Sequence, residues 1–137
     1  MGEPAPDASE ETTDAIFHGR VPIVQSRRGY RFNFDSLALA YEAASAPFGR
    51  FLDVGAGVGV IALALAHWSP RSVGLAVEVQ PTMAARLRRN LAANGLDGRV
   101  AAWEGDIRAL AGARPAPDAA GGVGAAPFDL VAMNPPY

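Results

Sequence analysis

Arg50-Phe51-Leu52-Asp53-Val54-Gly55-Ala56-Gly57-Val58-Gly59 is a short apolar run carrying one carboxylate and closing on three alternating glycines. The apolar run reads as a buried strand, and the glycines let the backbone turn tightly and approach a ligand closely. The following residues, 60–68, are almost wholly apolar and read as a helix that Ser69-Pro70 closes. Strand, glycine loop and helix in that order place bare backbone N–H groups at a helix N-terminus. The same rhythm continues downstream. A second buried strand is expected over 72–79, then a helix from Gln80-Pro81-Thr82 to the stop signal Asn94-Gly95. A third strand follows over 99–104, a short helix over 107–111, an Ala/Gly/Pro-rich loop over 112–126, and a fourth strand over 129–133. Alternating strands and helices with continuous apolar strands predict an α/β fold, a doubly wound, Rossmann-like parallel sheet.

Upstream, residues 1–13 are acidic, contain Pro4 and Pro6, and read as a disordered tail. Ile16-Phe17 and Val21-Pro22-Ile23-Val24 flank His18-Gly19-Arg20 and suggest a hairpin. A helix is expected over 35–46 with Asp35 as its cap. The expected organisation is thus a tail (1–13) and one domain (14–137), with hairpin and helix at 14–47 and a ligand-binding core at 48–137.

Composition sets the outer limits. Half the residues are hydrophobic and 19% are charged, ordinary for a globular chain of 137 residues with one core. No apolar stretch reaches the length of a membrane span, and the acidic start resembles neither a secretory signal nor a transit peptide, so a cytoplasmic protein is expected. Without cysteine, and with only His18 and His67 as imidazoles, no metal site is expected. The net charge of −2 argues against broad electrostatic capture of nucleic acid. The positive charges are nonetheless clustered, at Arg27, Arg28 and Arg31 and again at Arg86, Arg88 and Arg89. The second cluster reads as a solvated helix face.

Four elements end in polar or glycine-rich groups, and in open parallel sheets such ends converge on one crevice. Gly55, Gly57 and Gly59 supply the backbone. Glu78, 19 residues after Gly59, is placed to accept hydrogen bonds from a ribose diol. Asp106, after Gly105, is placed to accept from an adenine amino group, with Val79 and Ile107 against the ring faces. Gly57-Val58-Gly59-Val60-Ile61-Ala62 also fits the dinucleotide fingerprint. Asp53 before the loop and the extra first glycine favour S-adenosylmethionine over a nicotinamide cofactor. The last strand delivers Asn134-Pro135-Pro136-Tyr137. Two prolines forbid helix and ladder, leaving a rigid loop with an amide, free carbonyls and an aromatic ring. Such a loop can grip a planar amino group through its N–H bonds.

Together Asp53, Gly55, Gly57, Gly59, Glu78, Asp106 and Asn134 to Tyr137 resemble class I S-adenosylmethionine-dependent methyltransferases of the N-P-P-Y, amino-methylating group. The stretch from Gln25 to Ser36, with Glu78-Val79-Gln80-Pro81 and the segment from Arg89 to Leu96, is similar to bacterial tRNA (adenine-N6)-methyltransferases of the valine-tRNA type. The resemblance implies that Asn134 and the Pro135 carbonyl accept N–H bonds from the target nitrogen, that Tyr137 stacks on an extruded base, and that Tyr30 and Arg31 lie near the substrate entrance. Arg27, Arg28 and Arg31 would then serve RNA phosphates. A protein glutamine methyltransferase is the alternative, since a side-chain amide offers similar donors. A non-catalytic fragment that binds the cofactor is another. Members of this class continue beyond the fourth strand, so the expectation is a partial domain lacking the last strands. Its cofactor contacts would be mostly present and its substrate wall mostly absent, leaving the activity of this chain alone in question. Oligomeric state is not legible.

Overall fold

In the computed structural model, residues 8–29, 31–110 and 127–135 are described. The elements are β1 (Glu11–Ile16), β2 (Val21–Ser26), α1 (Phe34–Ala43), β3 (Arg50–Val54), α2 (Val60–Trp68), β4 (Val73–Glu78), α3 (Pro81–Ala93), β5 (Val100–Glu104) and β6 (Leu130–Met133). Strands β3 to β6 form one parallel sheet in the order β5-β4-β3-β6, and β1 and β2 form a separate antiparallel hairpin. Strand β3 is where the order reverses, because the chain adds β4 and β5 on one side and β6 on the other. A ligand crevice is expected beyond its C-terminal end.

The apolar sequence of α2 explains its place. Val60 through Ala66 are all buried, and a helix that is apolar all round must be covered on every side. It shares one core cluster with Ile16, Val21 and Ile23 of the hairpin, Ala40 of α1, Leu87 and Leu91 of α3, and Phe51, Ala76, Val100 and Ala132 of the sheet. Side chains alternate across a strand, so Leu52, Val54, Leu75, Val77 and Ala101 form a second cluster on the opposite face. Burying one Leu or Ile of α2 contributes about 1.5–3 kcal/mol.

Four expectations are corrected here. The tail expected over 1–13 gives way to structure from Ala8: a 3₁₀ turn at Ala8–Glu10, then β1 from Glu11. Its pairing with β2, Glu11 opposite Ser26 through Ile16 opposite Val21, supplies the backbone hydrogen bonds that composition alone does not reveal. Helix α1 is capped by Asn33, whose extended backbone lets its side chain accept from Ser36 N–H at 3.3 Å; Asp35 lies within the first turn. The Arg86, Arg88 and Arg89 cluster divides. Arg88 and Arg89 are exposed, but Arg86 is buried and donates to Glu11 at 3.1 Å, and Arg89 Nη1 and Nη2 reach the same carboxylate at 2.8 and 2.9 Å. The fourth strand is also less buried than its sequence suggests, with Val131 58% and Met133 54% exposed. Strand β6 has only β3 beside it among the described residues.

The hairpin is fastened to the core by polar groups. Asn90 is 1% exposed, yet all its amide groups are paired. Its Oδ1 accepts from Val24 N–H at 2.8 Å, and its Nδ2 donates to the carbonyls of Val24 at 2.9 Å and Val58 at 2.8 Å. A fully satisfied buried amide adds rigidity without an orphan's cost. At the hairpin turn, Phe17 stacks on His67 at the end of α2, centroids 4.4 Å apart, and meets Trp68 edge-on.

Candidate functional site

A cavity of about 330 Å³ opens at the C-terminal end of β3 and is lined by groups from every element that meets there. That volume is within the range of small-molecule sites. Gly55, Gly57 and Gly59 all adopt left-handed backbone, at φ of 69°, 58° and 100°. Gly59 has a second reason to be glycine: a Cβ there would sit 2.6 Å from Leu87 Cδ1, so α2 and α3 could not pack as they do. The loop is tied across the top of β4, with Ala56 N–H donating to the Val77 carbonyl at 2.9 Å.

Glu78 ends β4, lines the cavity and is 7% exposed. One of its oxygens accepts from Gly57 N–H at 3.0 Å and the other from Gln80 N–H at 3.1 Å. A carboxylate offers about four lone-pair sites, so Glu78 can brace the glycine loop and still accept from a ligand hydroxyl. Val79, 59% exposed, presents an apolar surface beside it. Across the opening stand Asn134 and Pro135 from the end of β6, with Phe32 and Ser36 from the entry to α1.

Asp53, expected both to orient the loop and to face a cofactor through water, is placed for the first of these. It is fully buried beneath the loop, and its Oδ2 accepts from Ala62 N–H, in the first turn of α2, at 3.1 Å. The capping position, Gly59, has no side chain, so Asp53 satisfies an N-terminal donor of α2 that Gly59 cannot. Its Oδ1 has no hydrogen-bond partner among the described residues. Burial pushes its carboxyl up to about 7, opposed by the Ala62 hydrogen bond and reinforced by the Glu78 charge. Asp53 therefore supports the loop from below and does not line the cavity.

Asp106 and Ile107 follow β5 and are also outside the cavity lining. Asp106 caps the 3₁₀ turn Ile107–Ala109, and Arg108 Nε donates to both its oxygens, at 3.0 and 2.9 Å. The Arg108 guanidinium pulls the Asp106 carboxyl down to about 2. Arg31 is held within the hairpin, donating to Asp14 at 2.7 Å and to Thr12 and the Ser26 carbonyl. Arg27 donates to the Glu11 carbonyl at 3.3 Å, and Arg28 is exposed. Tyr30, Pro136, Tyr137 and the loop expected over 112–126 lie outside the described residues. Among the described residues there is no metal-binding group of three His, Cys, Asp or Glu, and no helix is long and apolar enough to cross a membrane.

Three contributors were not singled out from sequence. Ser36 and Asn90 are polar residues on otherwise apolar helix stripes, a pattern visible in retrospect. Gln25, 2% exposed, accepts from Phe32 N–H at 3.1 Å and donates to Asp14 at 2.6 Å, fixing the segment that carries Phe32 to the cavity. That signal depends on pairing the sequence does not spell out.

The residues lining the cavity fit the chemistry of an S-adenosylmethionine site. The open side of Gly55, where a Cβ would meet nothing within 4 Å, admits a close ligand, and Glu78 keeps acceptor capacity beside an apolar wall. Residues 31–137 match the family model described as methyltransferase small domain. The tRNA1(Val) (adenine(37)-N6)-methyltransferase of Porphyromonas gingivalis is 31% identical over 131 residues, covering 91% of this chain and 48% of the relative. The release factor glutamine methyltransferase of Rhodospirillum rubrum is 37% identical over 89 residues, covering 65% of this chain and 23% of the relative. The chain thus spans about half the length of these relatives or less. In fold it is similar to M. jannaschii TYW2 in complex with AdoMet, with a TM-score of 0.62, 21% identity, and coverage of 72% of this chain and 45% of the other.

Proposed function

The chain belongs to the methyltransferase small domain family, and from that premise we propose that its cavity binds S-adenosylmethionine and serves methyl transfer to the amino nitrogen N6 of an adenine in tRNA. The observation that carries the reading is the placing of Asn134 and Pro135 in the same cavity as the glycine loop and Glu78. The loop backbone and the Glu78 carboxylate would hold the cofactor's sugar side, and Val79 and Met83 would offer apolar surface to its base. Asp106 would join them only by exchanging its bond to Arg108.

An aromatic amine is a poor nucleophile because its lone pair is shared with the ring. Asn134 Oδ1 and the Pro135 carbonyl, two acceptors in fixed directions, would bind its N–H groups and turn the lone pair toward the crevice. When bound, the cofactor would supply an electrophilic methyl group, and the chain's own part would be to keep the amine lone pair aimed at it while water takes up the N–H proton. Positioning and electrostatic stabilisation by preset acceptors are then the protein's contribution. Tyr137 would stack on the extruded base.

A side-chain amide of a protein glutamine is the second substrate class, favoured by the likeness to a release factor methyltransferase. The tRNA reading is preferred because the P. gingivalis relative aligns with 91% of this chain, against 65% for the release factor enzyme. Calorimetry with S-adenosylmethionine and NAD tests the cofactor. Labelled methyl transfer to unmodified bulk tRNA and to release factors tests the substrate. Methylation of release factor alone would overturn the tRNA assignment, and preferential NAD binding would overturn the whole reading.

A further inference from the structure

Ser36 is one of two buried residues on α1, 3% exposed on the same stripe as the fully buried Ala40. A hydroxyl on a buried stripe is costly unless partnered. Its partner is Asn134, whose Nδ2 donates to Ser36 Oγ at 3.0 Å across 98 residues of chain. Both residues line the cavity.

An amide side chain has two chemically opposite ends, an acceptor oxygen and a donor NH₂ group. Rotated by half a turn, Asn134 would present its NH₂ to an incoming amine, placing donors against donors. The bond to Ser36 Oγ uses one N–H of the NH₂ group, directs that end of the amide to α1 and leaves Oδ1 for the crevice. Asn134 is also immediately before Pro135, which restricts its backbone to extended conformations, so the side-chain rotation is the remaining freedom. We infer that Ser36 is a positioning residue that selects the rotamer of Asn134 presenting its oxygen to the substrate amine. This rests on the amine-methylating reading of the site.

The orientation itself is measurable without turnover. In the ¹⁵N-labelled chain, the Asn134 NH₂ signals are identified by their loss in Asn134→Asp. They should show protection from exchange and an NOE to the Ser36 β protons. Ser36→Ala should abolish the protection; equal protection in both proteins overturns the inference.

Turnover supplies the second arm, with labelled transfer to unmodified bulk tRNA. Losing one neutral hydrogen bond should lower kcat about 5- to 10-fold, with S-adenosylmethionine affinity and the KM for tRNA each within about 2-fold. Ser36→Thr should restore the rate. In an Asn134→Asp background either oxygen accepts, no rotamer needs selecting, and Ser36→Ala should change the rate less than about 2-fold. An equal loss in both backgrounds would show a purely structural role and overturn the inference. If the wild-type chain binds cofactor but methylates neither tRNA nor release factor, the functional reading fails by itself, and the NH₂ protection still decides the role of Ser36.

Discussion

Asp53→Asn separates the charge of the buried carboxyl from its shape. The amide keeps an acceptor for Ala62 N–H, while the titration is removed. In the wild type, burial raises the carboxyl from 3.8 to about 7, so between these values the folded state holds a proton that the unfolded chain releases. A group that binds its proton more tightly when folded stabilises at low pH and loses that contribution as pH rises. The contribution is therefore complete below about pH 3.8 and gone above about pH 7. Between about pH 5 and pH 8 the wild type should lose about 2.5 kcal/mol through this group, and the variant nothing. Urea unfolding, followed by tryptophan fluorescence at both values, measures this. With a slope of about 1–3 kcal/mol/M, the midpoint difference between the two proteins should move by roughly 1–2 M. Taking the difference cancels the other titrating groups. If it stays constant across the two pH values, Asp53 is ionised throughout and its place beneath the loop has been misread.

Two further substitutions test the scaffold around the cavity. Gly59→Ala forces a side chain into left-handed backbone and 2.6 Å from Leu87 Cδ1; a loss of about 2–5 kcal/mol in chemical denaturation, with weakened S-adenosylmethionine binding in calorimetry, is expected. Wild-type stability would show that α2 and α3 separate easily. Glu11→Gln leaves Arg86 buried without its counter-charge and should cost about 3–5 kcal/mol at neutral pH. The Arg89 hydrogen bond leads the depression of the Glu11 carboxyl, so its contribution is present above the ordinary value of 4.5 and lost as pH falls through the folded value. Acid titration of the melting temperature should accordingly be shallower in the variant than in the wild type.

Legibility varied along the chain for physical reasons. The helix over 60–68 and the glycine loop were readable because an apolar run and alternating glycines have few other uses, and α2 occupies those residues. The parallel sheet and the convergence of Glu78 with Asn134 followed from strand-helix alternation. The N-terminus was misread because Glu11, Thr12 and Thr13 are polar residues in a strand whose value lies in its partners. Arg86 was then misread in turn, since the carboxylate that buries it lies on that strand. Asp53 was expected both to orient the loop and to reach a ligand through water. Its register in β3, opposite Ala76 and Ala132, turns it toward α2 instead. Local pattern predicts elements, while the destination of a polar side chain depends on contacts 50 or more residues away, as at Val24 and Asn90.

Asn90 has a kinetic consequence. Its bonds close spans of 66 residues to Val24 and 32 to Val58, so they form only once α3 has docked. Loop closure of that length is slow to be rewarded, which places the final setting of the Val58 carbonyl late in folding. The Val24 amide hydrogen donates to a side chain of α3 rather than to a neighbouring strand. Its exchange rate therefore reports the undocking of α3 from the hairpin, an opening that also frees the Val58 carbonyl. One backbone hydrogen, far from the crevice in sequence, becomes a clock for how often Asn90 lets go of the Val58 carbonyl.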